Sequence, residues 1–180
     1  MKQKLLELMP ELDWIEDGDL RTKTLAVWQD AMERGGWHPN DLATIPFTLL
    51  IDPCPADFLE HTRGVTRCAV ALGDQLVETY GDRLPIHRDV LVSGGLLHDI
   101  GKLLEYERRD GKVVKSHFGA LVRHPFSGVG LAMEHGLPAE VVHVIAMHAK
   151  EGNLGQRSIE GILIHHADFS NFEPLKLRFA

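Results

Sequence analysis

Apolar residues recur at three- and four-residue steps along most of the chain, a period that predicts helices. Over residues 56–80, Phe58, Val65, Ala69, Leu72, Leu76 and Tyr80 mark the buried face of a long helix that Gly81 ends, with His61 on or beside that face. Over 87–102, Val90, Leu91, Gly94, Leu97 and Gly101 line an inner side, and Gly94-Gly95 would let a neighbouring helix approach closely. Further helices are expected over 1–9, 19–34, 125–135, 138–148 and 158–172, with Gly35-Gly36 stopping the second of the set and Pro125 suiting a first turn. Residues 35–55 hold Pro39, Pro46, Pro53 and Pro55 and read as irregular. The charged stretch 105–117, centred on Asp110-Gly111, reads as an exposed loop or small hairpin. Little alternates at period two, and no repeat is present. The pattern describes an all-α helical bundle in which residues 56–180 form the working domain. Residues 1–55 form a less regular N-terminal extension packed on it, through Trp14, Trp28 and Trp37.

Composition narrows the partners. The 180 residues are 44% hydrophobic and 25% charged, which fits one globular domain with a substantial core. A net charge of -7 disfavours a nucleic acid as partner and tolerates a small phosphorylated molecule. Cys54 and Cys68 form no CxxC pair, no apolar run reaches membrane-spanning length, and the first residues do not resemble a secretory signal. A cytoplasmic protein is expected, and a homo-oligomer is compatible with the composition.

Eleven histidines change the picture. The sharpest feature is Leu96-Leu97-His98-Asp99-Ile100-Gly101-Lys102, an adjacent imidazole and carboxylate within an inward-facing apolar segment. Burying both unpaired would cost several kcal/mol, and a metal ion would satisfy both. A lone His-Asp pair is more often a hydrogen-bonded core pair. Here His61, His124, His148 and Asp168 each lie on a different expected helix, and helices of a bundle are where ligands converge.

With those residues in place, the chain resembles the HD-domain metal-dependent phosphohydrolase superfamily over roughly residues 56–172. His61 matches the first histidine of the family, His98-Asp99-Ile100-Gly101-Lys102 its doublet in the HDIGK form, and Asp168 its last aspartate. A subset of the family adds two histidines, which match His124 and His148. The resemblance implies one ion on His61, His98, Asp99 and Asp168 and a second on Asp99, His124 and His148. Mixed nitrogen and oxygen donors suit Mn, Fe, Ni, Co or Zn. Neutral histidines are required, so activity should fall in mild acid. Lys102 is expected to meet a phosphate oxygen, and Arg63, two residues after His61, is a weaker candidate for the same task. His117 and His165 are candidates for extra pocket groups or for hydrogen-bond donors behind the ligands, with a structural role favoured for both. The Gly-Tyr-Pro signature of cyclic-di-GMP phosphodiesterases is absent.

The activity so implied is phosphoester hydrolysis by metal-activated water on a nucleotide or related small phosphorylated molecule. The run from Arg88 to Asp99 also resembles HD-type 3′–5′ exoribonucleases, which usually carry a nucleic-acid-binding domain not seen here. Two other classes share the ligand set: a di-iron oxygenase of the myo-inositol oxygenase type, and a non-catalytic HD-domain ligand-binding protein.

Overall fold

The computed structural model describes residues 1–180. Helices α1 (Lys2–Leu8), α2 (Gly18–Gly35), α3 (Phe58–Tyr80) and α4 (Arg88–Leu97) are followed by a single turn, α5 (Lys102–Glu105). A hairpin, β1 (Tyr106–Arg109) and β2 (Lys112–Lys115), leads to α6 (His117–Leu121), α7 (His124–Glu134), α8 (Ala139–Met147) and α9 (Ile159–Phe179). The fold is the expected helical bundle. No helix is long and apolar enough to cross a membrane.

Helix α4 is the hub. Every residue from Leu91 to Leu97 is buried, because α3, α8, α9 and α2 pack around it. The glycine pair makes this possible. A Cβ on Gly95 would lie 3.0 Å from the Cα of Thr66 on α3, and one on Gly94 would lie 2.8 Å from Val144 on α8. One continuous apolar cluster joins Leu96, Val144 and Ile164 to Leu5, Leu12, Trp28 and Ile45 of the N-terminal segment. Each such fully buried large side chain contributes roughly 2 kcal/mol before entropy is counted.

Local chemistry sets the helix ends. Asp57 and Glu60 form a reciprocal capping box that starts α3, which fixes His61 in its first turn. Asp110 and Gly111 both adopt positive φ, the two-residue turn that joins β1 to β2. Two expectations need correction. The helix expected over 87–102 stops at Leu97, and the one expected to end at 172 runs on to Phe179 with Pro174 inside it. Of the three tryptophans, Trp28 and Trp37 are buried, Trp28 against Phe58 and Trp37 donating from Nε1 to the Leu103 carbonyl at 2.8 Å. Trp14 remains 36% exposed.

Candidate metal centre

The break after Leu97 brings the His-Asp doublet to one point. The residues that follow are wound by i-to-i+3 bonds: Ile100 N–H to Leu97 O, Lys102 N–H to Asp99 O and Leu103 N–H to Ile100 O. This tighter winding lets the neighbours His98 and Asp99 both face the interior. Gly101 closes the turn against α7, where a Cβ would stand 2.1 Å from the His124 carbonyl oxygen and 2.8 Å from the Gly128 nitrogen. Backbone cannot yield as a side chain can. Gly101→Ala should therefore destabilise the fold by about 1–3 kcal/mol, with about 2–4 °C of melting temperature lost per kcal/mol. An unchanged thermal melt would refute this close approach.

His61 comes from α3, His124 from the first turn of α7, His148 from the residue that ends α8, and Asp168 from the middle of α9. Asp99 lies between them. Its Oδ2 is 3.4 Å from Nε2 of His61 and 3.4 Å from Nε2 of His98, while Oδ1 is 3.2 Å from Nε2 of His124 and 3.6 Å from Nε2 of His148. Asp168 Oδ1 is 3.2 Å from Nε2 of His61. Two groups of ligand atoms result, each within 4.8 Å: His61, His98 and Asp99, and Asp99, His124 and His148.

The hydrogen bonds fix which ring nitrogen faces inward. A carbonyl only accepts, so Nδ1 of His98 donates to Gly95 O at 2.7 Å and Nδ1 of His148 donates to Ile145 O at 2.8 Å. His124 Nδ1 donates to Glu105 Oε2 at 3.0 Å. In the neutral rings Nε2 of all three is then a bare lone pair. Those of His124 and His148 face each other at 3.3 Å, where two acceptors repel. Nε2 of His98 and both ring nitrogens of His61 are buried without a hydrogen bond. A divalent cation would satisfy these lone pairs together, so the donor set fits a metal.

Burial pushes the His124 imidazole down to about 4, against the opposing pull of Asp99 and Glu105, so it remains a neutral donor well below pH 7. Burial alone would raise the Glu105 carboxyl, but its bond from His124 and the nearby Arg123 outweigh that and bring it down to about 2. Asp99 is likewise held well below the usual carboxylate range by Lys102 and the histidines, despite its burial. Lys102 donates to Asp99 Oδ2 at 2.6 Å and to the Phe47 carbonyl at 2.7 Å.

The centre opens into a cavity of about 450 Å³ whose lining includes His61, Asp99, Lys102, Glu105, His124 and Asp168. Lys115, Arg123, Lys150 and Lys176 add positive charge, and Phe47, Tyr106, Phe169 and Phe172 add aromatic surface. Arg63 is not among the lining residues. Its Nε donates to both oxygens of buried Glu11, at 3.1 and 3.0 Å, and Arg67 joins them. Two residues along a helix is about 200° of rotation, so Arg63 points away from the side that His61 faces. His165 donates from Nδ1 to the carbonyl of His148 at 2.6 Å. His117 opens α6 and stands outside the cavity lining.

A family model described as HD domain matches residues 58–169. The chain belongs to the HD-domain superfamily of metal-dependent phosphohydrolases. This HD phosphohydrolase is 27% identical over 177 residues to the dihydroneopterin 2′,3′-cyclic phosphate phosphodiesterase of Methanocaldococcus jannaschii, an alignment that covers 92% of this chain and 67% of that protein. No solved structure matches the chain significantly.

Two contributors to the site of this HD phosphohydrolase have no motif. Glu105 is 1% exposed. It accepts from both the ring and the backbone N–H of His124, and from Arg123 at 2.7 Å. Phe47 stacks on the His61 ring with centroids 4.4 Å apart, although it lies outside the matched segment. Neither residue carries a signal in the sequence, since both act through contacts distant along the chain.

Proposed function

We propose that this HD phosphohydrolase is a two-metal phosphodiesterase acting on a small cyclic phosphodiester. One ion would be held by His61, His98, Asp99 and Asp168, the other by Asp99, His124 and His148. The observation that carries this reading is the placement of Asp99, with one carboxylate oxygen beside each histidine group. The named activity of the archaeal relative supports the substrate class.

When bound, divalent transition metals supply Lewis acidity that activates water and neutralises developing charge on phosphate oxygens. The protein does the rest. The Nδ1–H bonds of His98, His124 and His148 hold those rings in the donor orientation. Lys102, anchored between Asp99 and the Phe47 carbonyl, sets a positive charge on the cavity wall where a phosphate oxygen would lie. Arg123 and Lys115 are paired with Glu105, and Arg123 also with Glu151, so they act as fixed background charge more than as mobile ligands. In the overall reaction one ester P–O bond breaks and one forms to the oxygen of water. The departing alkoxide gains a proton, leaving a phosphomonoester.

The test is elemental analysis of protein purified without chelator, followed by assay of adenosine 2′,3′-cyclic phosphate against p-nitrophenyl phosphate. Near two ions of Mn, Fe, Ni, Co or Zn per chain, with the cyclic diester cleaved faster, is the expected result. A single ion at full activity would remove the bridged site. Two irons with oxygen consumption and no ester cleavage would replace hydrolysis with oxygenase chemistry.

A further inference from the structure

The face of α9 that carries Asp168 does not end at the metal centre. Phe169, Phe172 and Lys176 continue it along the cavity wall. Phe172 stands about one turn beyond Asp168, about 6 Å along the axis. That is the reach of a short sugar or polyol linker between a phosphate and a ring. Phe169 and Phe172 are half-buried. Their centroids are 6.5 Å apart with ring planes at 89°, so together they form a corner. A flat ring set into such a corner stacks on one phenyl face and meets the edge of the other, the two favoured aromatic geometries.

Thr48, Leu49 and Leu50 contribute both apolar and polar surface to the same cavity. Leu49 and Leu50 line the cavity at 36% and 68% exposure. Thr48, 6% exposed, accepts from the Leu50 N–H at 3.2 Å and keeps its own hydroxyl proton to donate. A hydrocarbon ring would leave that donor unused. A ring with nitrogen or carbonyl acceptors at its edge would take it.

We infer that Phe169 and Phe172, together with Thr48 and Leu49 of the same cavity lining, form a subsite for a flat heteroaromatic ring, which makes the preferred substrate a cyclic phosphodiester bearing such a ring one short linker from phosphorus. The inference rests on the phosphodiesterase reading above and assigns the selectivity of that site to side chains that touch no metal. Phe172 is a specificity-determining residue on this account.

The experiment compares guanosine 2′,3′-cyclic phosphate with glycerol 1,2-cyclic phosphate, a ring-free diester of the same reacting group. Both are assayed on metal-loaded wild type, Phe172→Leu and Phe172→Trp. In parallel, calorimetry measures binding of guanosine 3′-monophosphate and of glycerol phosphate. Wild type should prefer the ring-bearing diester by about tenfold or more in kcat/KM, the scale of one base stacked on an aromatic side chain. Phe172→Leu, which keeps apolar bulk but loses the flat face, should collapse that ratio through KM, and Phe172→Trp should restore it. The guanosine ligand should bind more tightly than glycerol phosphate by a similar factor, and Phe172→Leu should erase the difference. Equal cleavage of both diesters, with a ratio indifferent to Phe172, would overturn the subsite and leave the phosphodiesterase intact. Cleavage of neither diester, with Phe172-dependent guanosine monophosphate binding, would keep the subsite and sink the phosphodiesterase. Binding indifferent to both ring and variant would overturn the subsite whatever the assay shows.

Discussion

Asp99→Ala should empty both metal positions at once and reduce activity by about 10³-fold or more, the order of magnitude lost with an essential electrostatic group. The reason is geometric. Oδ1 faces His124 and His148 while Oδ2 faces His61 and His98, so no other side chain serves both groups. The same change orphans Lys102, whose ammonium loses its 2.6 Å partner and keeps only the Phe47 carbonyl. Breaking a buried ion pair from one side costs on the order of 3–5 kcal/mol, so loss of metal could be confused with loss of fold. Adding Lys102→Met removes the stranded charge. The double variant should melt near wild type and still hold no metal by elemental analysis. One ion retained in the double variant would show that the two groups are independent.

Glu105→Leu should remove one ion selectively. Glu105 keeps the proton of His124 on Nδ1 and so keeps Nε2 free as a donor. Loss of such an outer partner typically weakens metal affinity about 10–100-fold. The position formed by Asp99, His124 and His148 should fall by that factor, while the one on His61, His98 and Asp168 stays filled. Glu105→Gln retains an acceptor and should lie between wild type and Leu. Stepwise metal titration with a spectroscopically visible ion, such as cobalt, reads the two positions apart. Equal affinities in all three proteins would reduce Glu105 to an anchor for Arg123 and Lys115.

These two residues also mark what the sequence discloses. Asp99 stands out because an apolar run makes a buried carboxylate expensive, and the helical periods around His61, His124, His148 and Asp168 bring those residues to the same interior. The helix expected over 87–102 was too regular: periodicity carries straight through His98–Gly101, and only the bonded structure shows the tighter turn that turns both members of the doublet inward. Glu105 looks ordinary in Leu104-Glu105-Tyr106-Glu107, since its meaning comes from contacts 18 and 19 residues away with Arg123 and His124. Arg63 is the reverse case, drawn in by closeness to His61 along the chain although helical geometry already turns it aside toward Glu11. The extension of α9 past Pro174 was hidden by a residue that usually ends helices. Phe47 lay in a proline-rich stretch with no period to read.

That stretch leaves and rejoins the bundle at a single place. The Phe58 N–H reaches Ile45 O at 2.8 Å, Phe47 N–H reaches Ala56 O at 3.4 Å, and Pro46 bridges to Asp57. Between those clasps the chain supplies the ring over His61, the carbonyl that anchors Lys102, and the Thr48-Leu49-Leu50 side of the cavity. The loop is closed at its base by that one seam. On the subsite proposed above, the choice of what reacts is shared between this loop and Phe172 of α9, so grafting a different loop between Phe47 and Phe58 should alter selectivity while the helices that carry His61 and Asp168 stay as they are.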